Sequence, residues 1–213
     1  MTDQPFGSEA FAAAAVIGTF ETIAEWQVRL SQPFQPPASS QLAADDEDWP
    51  GFPASQVVWS GLAAASDHLN AIRRHVEART LFPSAHLTLC RTALVGASQA
   101  VWVLAPSDSA TRLARTRTIL TESYKRHLQW LQEAQQLADT PHMGTDTVTA
   151  VIAQRKAELK TKRDADVQVA TLDNTQMVRE AATECFKRAD LAKEAVLAWR
   201  STSGAAHGFP WSL

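Results

Sequence analysis

Cysteine, tyrosine and glycine are scarce in this chain, and charge of either sign hardly dominates. Two cysteines among 213 residues, Cys90 and Cys185, cannot form the disulfide framework on which small secreted domains depend. Neither belongs to a CxxC or to a Cys/His cluster with zinc-ligand spacing, and each falls inside an apolar helical pattern. Both read as core residues of a reduced, cytoplasmic protein. The eight glycines build no phosphate-cradling loop. HExxH, HxxxH and ExxH patterns are absent, as are a GxSxG elbow and any legible serine or cysteine triad, so no metal or other cofactor is expected. A formal charge of −3 gives no field that would draw nucleic acid or an acidic membrane to the whole protein, and such binding has to rest on a local patch. The longest apolar run, 87–105, contains Arg91 and Gln99, as a buried helix does and a membrane span does not. The apolar run 11–18 follows Asp3 and Glu9 in place of a basic region, unlike a signal peptide.

What the chain does have is helical period. Val16, Phe20, Ile23 and Leu30 mark a first amphipathic helix over 6–30. Residues 31–53 follow, with Pro33, Pro36, Pro37, Pro50, Pro53 and the run Asp45-Asp-Glu-Asp48; they read as a Pro-rich acidic loop, solvated or acting as a lid that carries Trp49 and Phe52. A second helix over 55–79 carries Val58, Leu62, Ala65, Leu69, Ile72 and Val76 on one face. The third, 84–105, is apolar nearly all round and is expected at the centre. A fourth over 109–138 has the stripe Leu113, Leu120, Tyr124, Leu128 and Leu131, and 140–144 ends it. The fifth, 146–163, is poor in large apolar residues and belongs at the edge. Asp173 and Gln176 resemble a capping box opening the sixth, whose rhythm runs unbroken from Val178 through Ala182, Cys185, Ala189, Ala192 and Val196 to Trp199. Its small residues suit close packing on the central helix or on a second copy of the chain. No segment alternates with a period of two. The pattern predicts a single all-α domain over 1–213, an antiparallel bundle of about six helices.

Near the end of the sixth helix stands Trp199-Arg-Ser-Thr-Ser-Gly-Ala-Ala-His-Gly208. Seven residues separate Arg200 from His207, so a helix running through Gly204 brings both to one face about 10 Å apart. The spacing resembles the R-x4-6-H signature of the HEPN superfamily, all-helical proteins many of which are metal-independent RNases in toxin and phage-defence systems. Ser203-Gly-Ala-Ala-His-Gly208 is also similar to the closing motif of bacterial helical proteins grouped near that superfamily. The resemblance covers about the last fifteen residues. It implies that His207 handles the proton of an RNA 2′-hydroxyl while Arg200 holds the scissile phosphate, and that a homodimer formed through the last helix completes the site. The alternative is structural: His207 caps the helix or bonds a carbonyl, and Arg200 pairs with a carboxylate.

Arg91 is the only charge in the third helix and is expected to be buried against an acid such as Asp67 or Glu184, or to face a cleft and bind an anion. Arg112, Arg115, Lys125 and Arg126 on the fourth helix, with Lys160 and Lys162 on the fifth, make a basic face for RNA if the two helices form a hairpin; otherwise they are a solvated face balanced by acids. The competing function is a non-catalytic interaction or scaffold protein whose exposed Trp49, Phe52 and Trp211 bind a protein partner. No membrane association is expected.

Overall fold

Two of the six predicted helices break, and the acidic loop contains a short helix of its own. A computed structural model describes residues 6–136, 145–166, 171–209 and 211. Among the described residues there are nine helices and no strand: α1 Phe6–Gly18, α2 Phe20–Leu30, α3 Gln41–Asp46, α4 Ala54–Glu77, α5 Pro83–Leu104, α6 Ser109–Gln136, α7 Thr145–Asp164, α8 Asn174–Phe186 and α9 Ala189–Ala206. The all-α class follows from the 3.6 period. The first stretch is cut at Thr19, whose N–H donates to Val16 O at 3.1 Å in a tightened i to i−3 bond. The last is cut at Lys187, which adopts φ 51, a left-handed conformation that turns the chain between α8 and α9. The stop expected at 140–144 lies outside the described residues.

Contacts group the chain into two compact units. The first comprises Met1–Gln35, Val58–Val101 and Thr175–Leu213. Here the backbones of α4 and α5 meet at Gly61 and Gly96: a Cβ on Gly61 would lie 2.6 Å from Gly96 O, and one on Gly96 would press equally on Gly61 O. Ala65, Ala93, Ala100, Ala181, Ala182 and Ala192 fill much of this interior, because helices that approach so closely leave room only for small side chains. Much of the expected α9 stripe packs inside this unit, where Trp199 and Ala192 are buried and the Trp199 indole N–H donates to Thr175 Oγ1 at 3.1 Å. Both cysteines are exposed, against the core assignment. Helical rhythm puts a residue on a face, but the reach of the neighbouring helix decides whether that face is covered. Among the described residues α5 alone is long and apolar enough to cross a membrane by length and composition.

The second unit comprises Pro36–Val57 and Trp102–Asn174. α6 and α7 pack together, with Leu120, Tyr124, Leu128 and Leu131 of α6 buried along with Ile152 and Leu159 of α7. Most of α7 is exposed, and two large side chains seven residues apart seat it on α6.

The acid run reverses the solvated-loop expectation. Ser40 accepts a hydrogen bond from the Ala43 N–H and caps α3. Asp45, only 2% exposed, accepts from Arg112 Nε at 2.6 Å and from Arg112 Nη2 at 3.3 Å, while Arg112 Nη1 donates to Pro106 O and Ser107 O. Asp46 accepts from both the N–H and the hydroxyl of Ser55 at 2.7 Å, at the start of α4. Asp48 accepts from Arg117 Nη2 at 2.7 Å and from Lys162 Nζ at 2.9 Å, and Arg117 also pairs with Asp166. Trp49 is half-buried and donates its indole N–H to Tyr124 Oη at 3.1 Å, so it is no free docking residue. Like charges that repel one another in an isolated loop are here separated, with Asp45, Asp46 and Asp48 each facing its own donors and Glu47 exposed. Burial raises the Asp48 carboxyl, but the bonds and charges of Arg117 and Lys162 outweigh it and hold its pKa below the ordinary aspartate value.

Two outcomes follow from these contacts. Gly61→Ala or Gly96→Ala should cost about 1–3 kcal/mol in urea denaturation, because two backbones must separate; Gly18→Ala, whose added Cβ meets nothing within 4 Å, should cost no such amount. A lowered Asp48 pKa means that its contribution to stability is fully present above the unfolded aspartate pKa of about 4 and is lost as pH falls through the folded value. Acid titration of unfolding should therefore show Asp48→Asn to be destabilised at neutral pH, with a flatter acid limb than the unsubstituted protein.

Candidate functional site

The end of α9 is built by a glycine. Gly208 adopts φ 70; its N–H donates to Ala205 O and the Phe209 N–H donates to Gly204 O, both at 3.0 Å, which is the two-bond Schellman closure of a helix. Only a residue without Cβ takes this conformation freely, so the position of Gly208 sets where α9 stops. The helix consequently runs through Gly204, and His207 is its C-cap, with φ −96 and ψ 2. Seven residues turn the helix 20° short of two full turns, so Arg200 and His207 lie nearly in line, about 10 Å apart along the axis. Both are exposed. Among the described residues neither side chain makes a hydrogen bond or an ion pair; the His207 ring lies 5.9 Å from that of Phe209. The structural alternative holds in part, since His207 occupies the cap, but it acts there through its backbone N–H, shared between Ser203 O and Gly204 O.

Arg200 also borders a groove of about 890 Å³ between α8 and α9. Five cations line it, Arg179, Lys187, Arg188, Lys193 and Arg200, against one acid, Glu184. Lys187 pairs with Glu184 at 2.7 Å and Arg188 with Asp190, whereas Arg179, Lys193 and Arg200 pair with no carboxylate among the described residues and are exposed. The floor is aliphatic, from Ala192, Val196 and Leu197. His207 does not line the groove, although Lys193, Arg200 and His207 succeed one another at heptad spacing on α9.

The six basic residues expected to bind nucleic acid are not brought together as one free surface. Arg112 is buried on Asp45, and Lys162 is bound to Asp48. Arg115 donates to Trp102 O at 2.7 Å and stacks on the Trp102 ring at 4.9 Å. Lys125 and Arg126 share Glu122, and Lys160 pairs with Asp164 beside a hollow of about 540 Å³ between α6 and α7. The last three are surface pairs and hold their cations weakly, but Arg112 is removed from any interface. The groove cations Arg179 and Lys193 escaped the sequence reading. A signal existed, for Lys193, Arg200 and His207 repeat every seven residues.

Arg91 is half-buried but, among the described residues, is paired with no carboxylate. Its Nε donates to Ser203 Oγ at 3.4 Å and its guanidinium lies 4.9 Å from the Trp199 ring centre, so an aromatic face takes the place assigned to Asp67 or Glu184. Among the histidines, His75 Nδ1 lies 3.0 Å from His86 Nε2 and His68 Nδ1 lies 2.7 Å from Ala64 O; no group of three or more metal-ligating side chains occurs among the described residues.

Comparison with protein-family models, curated proteins and solved structures finds no match to this chain. The site therefore rests on its own geometry and on the motif.

A double-mutant cycle of Arg91→Leu with Trp199→Leu should return a coupling of about 0.5–1 kcal/mol, and a cycle of Arg91→Leu with Asp67→Asn none.

Proposed function

We propose that this chain is a HEPN-like, metal-independent RNase that works inside the cytoplasm, of the kind used by toxin and phage-defence systems, with Arg200 and His207 as its reacting side chains. The observation that supports it is that both are exposed in line at the end of one helix, and that among the described residues neither is spent on an internal bond. An imidazole titrates near neutral pH and takes the proton of an RNA 2′-hydroxyl. The freed oxygen attacks the adjacent phosphorus, the bond to the 5′-oxygen breaks, that oxygen takes a proton from water, and the imidazolium gives its proton to the hydroxide so formed, leaving a 2′,3′-cyclic phosphate and a neutral imidazole. Arg200 forks onto the phosphate oxygens and neutralises the charge that grows on them. No metal is needed, because the guanidinium supplies the positive charge. A homodimer through α9 would set two such sites near one another.

A second reading is a non-catalytic helical interaction protein with a protein partner. The observation that favours it is the apolar surface around the same end, where Leu197 is 65% and Trp211 66% exposed.

Purified protein incubated with labelled single-stranded RNA in EDTA separates the two. Under the RNase reading, cleavage ends in cyclic phosphate and falls about 10²-fold or more in His207→Ala and in Arg200→Ala, with unfolding transitions unchanged. Absence of cleavage, or cleavage that survives both substitutions, hands the chain to the interaction reading.

A further inference from the structure

The groove between α8 and α9 concentrates positive charge in a chain whose total is −3. Composition therefore does not account for five cations around a single acid. Two of the five answer to nearby carboxylates, Glu184 and Asp190. Arg179, on the α8 wall, and Lys193 and Arg200, on the α9 wall, are exposed and make no ion pair among the described residues. All three line one groove, and their summed positive potential favours an anionic occupant.

The spacing says what kind of anion. Lys193 and Arg200 are two helical turns apart, about 10 Å along α9, and Arg179 stands on the other wall, so the groove presents an extended set of positive charges. A chain of phosphates matches such a set along its length. The aliphatic lining of Ala192, Val196 and Leu197 offers sugars and bases an apolar rest, and of the polar groups beside it, Thr183 and Glu184, the carboxylate is already engaged by Lys187. The α9 wall also has a direction: beyond Lys193 and Arg200, the next position in the heptad line is His207.

We infer that the α8–α9 groove binds the phosphate backbone of single-stranded RNA through Arg179, Lys193 and Arg200, and that the strand leaves it along α9 toward His207. The inference rests on the RNase reading for the role of His207, but the binding itself does not. It makes Arg179 and Lys193 substrate-binding residues with no part in the chemical step, and it makes binding sensitive to salt and tolerant of sequence.

The test measures anisotropy of a labelled 20-nucleotide poly-U strand on the His207→Ala protein, which holds RNA without cutting it, over a series of salt concentrations. Arg179→Gln combined with Lys193→Gln should weaken binding at least tenfold and lower the slope of log affinity against log salt by about 1.4, two contacts at about 0.7 each. Lys125→Gln with Arg126→Gln, on α6, should change neither. Poly-A should bind within a few-fold of poly-U. The groove assignment is overturned if the α8–α9 pair binds like the parent, if the loss falls on the α6 pair instead, or if no RNA binds at low salt. It is equally overturned if polyglutamate binds more tightly than poly-U at the same salt, which would make the groove a seat for an acidic protein. Groove-dependent binding by a protein that never cleaves RNA sinks the RNase reading and leaves the groove. Cleavage by wild-type protein that is indifferent to Arg179→Gln and Lys193→Gln does the reverse.

Discussion

A carboxylate shut away from water has to be neutralised where it stands, and the unit that holds α6 and α7 is organised around one such group. Asp45 is met by two guanidinium nitrogens of Arg112, whose Nη1 donates to the two carbonyls that lead into α6. Removing either partner strands a buried charge at a cost of about 3–5 kcal/mol. The pair brings the segment after α2, nominally a linker, against α6, and Asp46 and Asp48 extend the attachment to the start of α4 and to Arg117 and Lys162. Acids adjacent in the chain are tolerable because successive residues of a short helix and its exit turn point in different directions.

The other unit is governed by an opposite economy of side chains. Gly61 and Gly96 let α4 and α5 touch backbone to backbone, and alanines dominate the surrounding interior. With so little bulk in its centre, this unit uses its tryptophans as anchors. Trp59 stacks on Phe34 at 4.8 Å, and Trp199 bonds Thr175 while offering its face to Arg91. Arg91 ties α5 to α9 only a turn from Arg200, so the last helix is held from its inner side and its outer side stays open to solvent.

That division of faces is what makes α9 a candidate for chemistry. Trp199, Thr202 and Ala205 face inward, and Arg200 and His207 face outward on a helix whose end is fixed by Gly208. The cation-lined groove beside it arises from the turn at Lys187, which folds α8 back so that Arg179 stands across from the α9 cations. A straight helix through 187 and 188 would carry the same residues and form no groove.

Helix content was legible in the sequence because burial of an apolar stripe requires a 3.6 period, and that requirement is local. The Gly-directed stop of α9 and the alignment of Arg200 with His207 are local too, since seven residues of helix fix their own geometry. Tertiary structure decided the partners. Nothing in Asp45-Asp-Glu-Asp48 announces that three of its acids meet donors as distant as Arg112, Ser55 and Lys162, and nothing around Arg91 announces an indole in place of a carboxylate. Whether a cation is free is likewise a property of what other helices place beside it, which is why Arg112 and Lys162 read as surface residues and Arg179 and Lys193 went unremarked. Local period is set by the backbone of each segment alone, whereas neutralisation and exposure depend on long-range contacts that exist only once the helices have packed.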